Sequence, residues 1–114
     1  MQQYEIFVPK NINAKDALDK GKTKVSDIEK LVLSKQEFDY IYDNGIIDAI
    51  NNIADILISD YEEELIQDIF KIEKIQKYLK NYSKKNNCNF DLISKLLNMF
   101  ENAMIYKLGI YFYF

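Results

Sequence analysis

Apolar and polar residues alternate with period two at the start of this chain and then shift to helical spacing. Tyr4, Ile6 and Val8 fall on one side of an extended segment and Glu5 and Phe7 on the other, so Tyr4–Val8 reads as a strand closed by Pro9. Residues 10–24 are rich in Lys, Asn and Asp and read mostly as loop, with Asn13 placed to cap a short helix through Ala14, Ala17 and Leu18. Glu29–Leu33 reads as a second strand from its apolar and β-branched content. A short helix begun at Ser26 is the alternative there.

Ser34-Lys35-Gln36-Glu37 is a capping box, with Leu33 and Phe38 placed as a hydrophobic staple. Phe38, Ile41 and Tyr42 keep helical spacing, and Asn44-Gly45 stops the helix because glycine tolerates the left-handed C′ position. The same pair can turn a hairpin, but the capping box favours the helix. A short helix follows with Ile46, Ile47, Ile50 and Ile53 on one face. Ser59-Asp60-Tyr61-Glu62 has the form of a second capping box. The helix it predicts runs to about Tyr82 with a wide stripe that includes Leu65, Ile66, Ile69, Phe70, Ile72, Ile75 and Leu79. Its length would be about 35 Å.

Asn89 caps a last helix whose face is Leu92, Ile93, Leu96, Leu97, Phe100, Ala103 and Met104, and Leu108-Gly109 ends it. Ile110–Phe114 is a run of β-favouring residues best hidden beside the Tyr4–Val8 strand. The expected fold is α+β and mostly helical. Three to four helices pack on one face of a small sheet formed in part by the N- and C-terminal strands, in a single domain spanning 1–114.

Composition narrows the chemistry. The 114 residues include 17 Ile, 15 Lys, 11 Asn and 9 Tyr but no Arg, His or Trp. The favoured residues have AT-rich codons, which accounts for much of the bias. Without His there is no imidazole base or His ligand, and without Arg no bidentate fork for phosphate. The single Cys88 cannot form an internal disulfide or a cysteine zinc site. Cys88 lies among Lys84, Lys85, Asn86, Asn87 and Asn89 with no base, and reads as a lone thiol. No apolar run approaches a membrane span, and the opening residues lack signal-peptide character, so the expected location is cytoplasmic.

Charge is where the sequence is most unusual. Between Gln36 and Phe70 there are ten carboxylates and no lysine. Residues 1–35 carry seven Lys against five acids, and residues 71–114 eight Lys against three. The net charge of −3 therefore hides a polarised chain. An acidic block attracts basic partners and speeds encounter. On the expected long helix Asp60, Glu64 and Asp68 share one face. The competing structural account is that early acids and later lysines suit that helix's dipole. It does not explain Asp39, Asp43, Asp48 and Asp55.

Other chemistries fit less well. An EF-hand loop aligned on Gly45 puts Tyr40 and Tyr42 at ligand positions, and fails. Asp60-x-x-Glu63 offers one imperfect pair for a carboxylate-bound Mg²⁺, without a second. Lys74, Lys77, Lys80 and Lys84 with Tyr78 and Tyr82 offer a nucleic-acid surface. The absence of Arg and a pI near 5.0 favour a solvated helix face instead. Neither a cofactor nor a catalytic residue is predicted.

Through the acidic tract 37–68 and its whole-chain character, the protein resembles small bacterial toxin-immunity proteins. The resemblance is one of class, with no signature motif. It implies a non-enzymatic cytoplasmic inhibitor that occludes a basic toxin, such as a nuclease, by charge and bulk, with no direct nucleic-acid or membrane contact. The residues assigned to that surface are Asp39, Tyr40, Asp43, Asp48, Asp55, Asp60, Tyr61, Glu62, Glu63, Glu64 and Asp68, with Tyr42 adding contact area. The alternatives are a phage or plasmid DNA mimic that blocks a nucleic-acid enzyme, a carboxylate-based Mg-dependent hydrolase, and a homodimer paired through the terminal strand.

Overall fold

The first and last strands of the chain lie side by side. In the computed structural model, which describes residues 3–59 and 62–114, β1 (Tyr4–Pro9) pairs with β4 (Ile110–Tyr113), and Ile6 faces Phe112 across the ladder. β2 (Ile28–Leu33) pairs with the other side of β1, and β3 (Glu63–Ile66) with the other side of β4. All three pairings are antiparallel, giving the order β2-β1-β4-β3. The fold is α+β and mostly helical, as the sequence predicts.

β4 is therefore an inner strand. Its backbone is engaged on both sides, so β4 offers no free edge for the alternative of pairing with a second copy through the terminal strand. Among the described residues, β2 and β3 are the edge strands.

The two faces of the sheet are covered differently. Tyr4, Ile6, Val8, Leu33, Ile66, Ile110 and Phe112 share one core with α2 (Lys35–Asp43), α3 (Ile46–Ala54), α4 (Ile69–Tyr82) and α5 (Phe90–Tyr106). The opposite face carries Phe7, Tyr111 and Tyr113 under α1 (Ile12–Asp19), whose Leu18 is buried on them. Helices on one face only was the expectation, and α1 corrects it. The reason is Phe7: β1 is inner and apolar on both sides, so its second face also needs a cover. The tyrosine hydroxyls fasten that cover. Tyr113 donates to the Leu18 carbonyl at 2.6 Å, Tyr111 donates to the Asp19 carboxylate, and Lys15 Nζ donates to the Tyr111 oxygen at 2.9 Å. Asn11 rather than Asn13 caps α1, accepting from the Ala14 N–H.

The capping box at α2 forms in both directions, through Ser34 Oγ with the Glu37 N–H and Glu37 Oε1 with the Ser34 N–H. Gly45 takes a φ of 76° between α2 and α3, the left-handed turn its position calls for. Asn89 caps α5 by accepting from the Leu92 N–H.

The long helix expected from Ser59 does not form. Residues 63–66 join the sheet, and α4 begins at Ile69 with Asp68 as its N-cap, accepting from the Phe70 and Lys71 N–H groups. At 14 residues α4 is about 21 Å long, not 35. Pairing with β4 overrides the capping-box pattern, because Leu65 and Ile66 lie opposite Tyr111 and Ile110 and complete the sheet. Asp60 and Tyr61, the middle of that box, lie outside the described residues. The helical face shared by Asp60, Glu64 and Asp68 is gone, since Glu64 is in a strand and Asp68 is a cap. The helical pairing of Asp60 with Glu63 for Mg²⁺ fails likewise, because Glu63 is also in β3.

Candidate docking surface

The carboxylates of the tract fall in three places. On α2, Asp39 and Asp43 sit one turn apart and line a 460 Å³ groove with Lys35, Phe38, Tyr42 and Ser59. Its floor is aromatic: the Phe38 ring stacks on Tyr4 at 4.1 Å and meets Phe114 edge-on at 5.5 Å. Tyr42 stands at the side with 56% of its surface exposed. Lys35 binds Asp39 at 2.6 Å, whereas Asp43 takes part in no ion pair among the described residues.

On α3, Asp48 lies exposed in the first turn, where a negative charge suits the helix dipole. Asp55 follows the last turn with a φ of 56°, also exposed. The nearby Lys71 Nζ donates to the Ala54 carbonyl at 3.0 Å, so this lysine satisfies the end of α3. On β3 and just before it, Glu62 and Glu63 are exposed and Glu64 is half-buried.

Among the described residues, the ion pairs that reach the tract join Lys35 to Asp39 and Lys95 to Glu37, the latter at 3.8 Å. Asp43, Asp48, Asp55, Glu62, Glu63 and Glu64 take part in none of them. Apart from Lys95, the downstream lysines form no ion pair with the tract among the described residues. Lys74, Lys77 and Lys80 line the exposed side of α4, and Lys77 pairs with Glu73 of the same helix. The same described residues contain no cluster of three potential metal ligands, and no helix among them is long and apolar enough to cross a membrane.

The structure gathers some assigned residues and separates others. Asp39 and Asp43 share the groove with Ser59, and the segment through Ser59 connects the Asp55 end of α3 to the Glu62–Glu64 side of the sheet. Asp48 sits at the far end of α3 from Asp55. Asp68 is occupied as a helix cap. Tyr40 turns inward: its oxygen accepts from the Asn89 N–H at 2.8 Å, and it is hydrogen-bonded to Tyr82. That bond, then burial, pushes the Tyr82 hydroxyl up to about 12. Tyr40 thus ties α2 to the α4–α5 connection instead of offering contact area. Asp60 and Tyr61 lie outside the described residues.

Two residues outside the assigned set stand out at the corner where α3 ends and α4 begins. Leu57 is 67% exposed and Phe70 77% exposed. The Lys71–Ala54 bond holds these two segments together. Phe70 was expected in the buried stripe of its helix. At about 100° per residue it lies some 200° around from Ile72, which is fully buried with Ile75 and Leu79. A tighter count of the period would have found it; Leu57 has no comparable signal. Aromatic and aliphatic groups exposed beside Asp55 and Asp68 form the mixed surface from which interface anchors are drawn.

Comparisons with protein-family models, curated proteins and solved structures return no match to this chain.

Proposed function

We propose that this protein is an inhibitory binding protein for a basic macromolecule, of the toxin-immunity class. The observation that carries the reading is the group of six tract carboxylates, Asp43, Asp48, Asp55, Glu62, Glu63 and Glu64, that have no ion pair among the described residues. Exposed charges of one sign raise encounter rates with an oppositely charged partner. Leu57, Phe70 and Tyr42 then supply apolar contact area around which such charges form a rim. A nuclease toxin suits this surface, because a site that binds phosphate is itself basic and an acidic protein can compete there.

The test is protection. If the gene beside this one encodes a secreted protein with a toxic C-terminal end, co-expression should restore growth. A variant with Asp43, Asp55, Glu62 and Glu63 changed to lysine should not restore it, although folded. A neighbouring gene product with no toxicity, or protection that survives the charge reversal, contradicts the reading.

A further inference from the structure

β3 is paired with β4 on one side, and no strand among the described residues pairs with its other side. The bond from the Phe114 N–H to the Glu62 carbonyl, 3.0 Å, tells which backbone groups are used. Hydrogen-bonded and non-bonded pairs alternate along an antiparallel ladder. With Glu63 opposite Tyr113 and Leu65 opposite Tyr111, the N–H and C=O groups of Glu62, Glu64 and Ile66 turn toward β4. Those of Glu63 and Leu65 turn outward, to the free edge. The side chains of these same two residues stand on the face that carries Tyr111 and Tyr113. There the surface opens into a 310 Å³ concavity bounded by Leu18, Asp19, Glu63, Leu65 and the two tyrosines. Asp19 is engaged by Tyr111 and Lys15, whereas Glu63 takes part in no ion pair among the described residues.

We propose that this edge receives an extended strand of a basic protein, with one lysine or arginine side chain of that strand seated in the concavity against Glu63 and the Tyr113 ring. The proposal rests on the reading that the partner is basic and adds the manner of contact. Strand addition draws affinity from main-chain bonds and specificity from pockets for alternate side chains, and here both lie at Glu63 and Leu65. A cation beside Glu63 has a carboxylate and an aromatic ring within one site. A second copy of this chain is a poor occupant. Antiparallel self-pairing of β3 sets the glutamates at 62–64 near those of the other copy, and facing like charges oppose pairing.

A labelled peptide of alternating lysine and valine is the probe, with an alternating glutamate and valine peptide as its opposite. Binding is read by fluorescence anisotropy and by amide exchange. The basic peptide should bind and the acidic one should not, and the Glu63 and Leu65 amides should exchange more slowly in the complex. Leu65→Pro removes an outward N–H while leaving the β4 bonds in place, and should weaken binding by roughly tenfold or more. Glu63→Gln, which leaves the backbone untouched, should weaken it too and serves if the proline variant does not fold. Equal binding to wild type, Leu65→Pro and Glu63→Gln, with unchanged exchange at Glu63 and Leu65, overturns strand addition but leaves attraction by the wider acidic surface standing. No binding of the basic peptide to the wild type also overturns it, and the co-expression assay then decides the broader reading separately.

Discussion

Asn51 holds Ile58 by both polar groups of its peptide backbone. The side-chain Nδ2 donates to the Ile58 carbonyl at 3.1 Å and Oδ1 accepts from the Ile58 N–H at 2.7 Å. One amide side chain thus does for a single residue what a neighbouring strand would do. It turns Ile58 into the core and leaves Leu57 facing solvent. Asn51→Ala should destabilise the protein by about 1–3 kcal/mol, because two backbone groups lose their partners. The urea midpoint should fall at unchanged slope. Asn51→Asp, which keeps the acceptor and loses the donor, should fall between the two.

Gly109 is required by its surroundings as well as its backbone. Its φ is +101°, and a Cβ there would lie 2.9 Å from Leu65 Cδ1 and 3.1 Å from the Ile66 carbonyl oxygen. Gly109→Ala should cost roughly 1–3 kcal/mol by combining backbone strain with a clash against β3. Gly21→Ala, with a φ of +77° but open space around it, should cost less. Parallel thermal melts of the two variants check the order.

Base should weaken the fold through its tyrosines. The bond to Tyr40, then burial, raises Tyr82 from 10.0 to about 12. Burial, then the bond to Asp19, raises Tyr111. The folded protein therefore holds these protons after the unfolded chain has released them. The resulting stability is intact below about pH 10 and is lost as pH rises through the folded values. Denaturation midpoints should fall over that window, with the phenolate absorbance of these tyrosines appearing together with unfolding. Tyr40→Phe removes the partner of Tyr82 and should bring its titration back toward the ordinary range.

Phe70 and Ile72 are two residues apart on one helix and should respond in opposite ways. Phe70→Ala removes an exposed ring and should change stability by no more than about 0.5 kcal/mol, while weakening partner binding roughly tenfold or more. Ile72→Ala opens a cavity in the core and should cost about 2–5 kcal/mol. Stability and affinity measured on both variants separate a docking role for Phe70 from a structural one.

Local signals in the sequence carried far where one level of structure agreed with the next. The Ser34–Glu37 capping box, the Asn89 cap, and the pairing of the Tyr4 and Ile110 strands could each be read from a few residues. The stretch from Ser59 to Asp68 could not. Ser59 and Glu62 match the capping pattern, and glutamates at 63 and 64 disguise a strand. What places that strand is Tyr111 and Ile110, more than forty residues away in the chain. The docking surface was legible as charge and illegible as geometry. The acids of α2 gather in one groove, but Tyr40 is drawn inward by Asn89 and Asp68 is consumed by the start of α4. The inward turn of Tyr40 has no signature in the residues around it, whereas Asp68 is a preferred N-cap residue whose signal was masked by the capping pattern at Ser59.

The proposed inhibitory role requires the tract carboxylates to draw in a positively charged partner. The association rate constant for a basic protein partner, measured across ionic strength for wild type and for the variant with Asp43, Asp55, Glu62 and Glu63 changed to lysine, tests this most directly. The reversed variant should associate roughly 10- to 1,000-fold more slowly at low salt. The gap should close in about 1 M salt, where screening acts over about 3 Å. Equal rate constants at low salt would contradict that role.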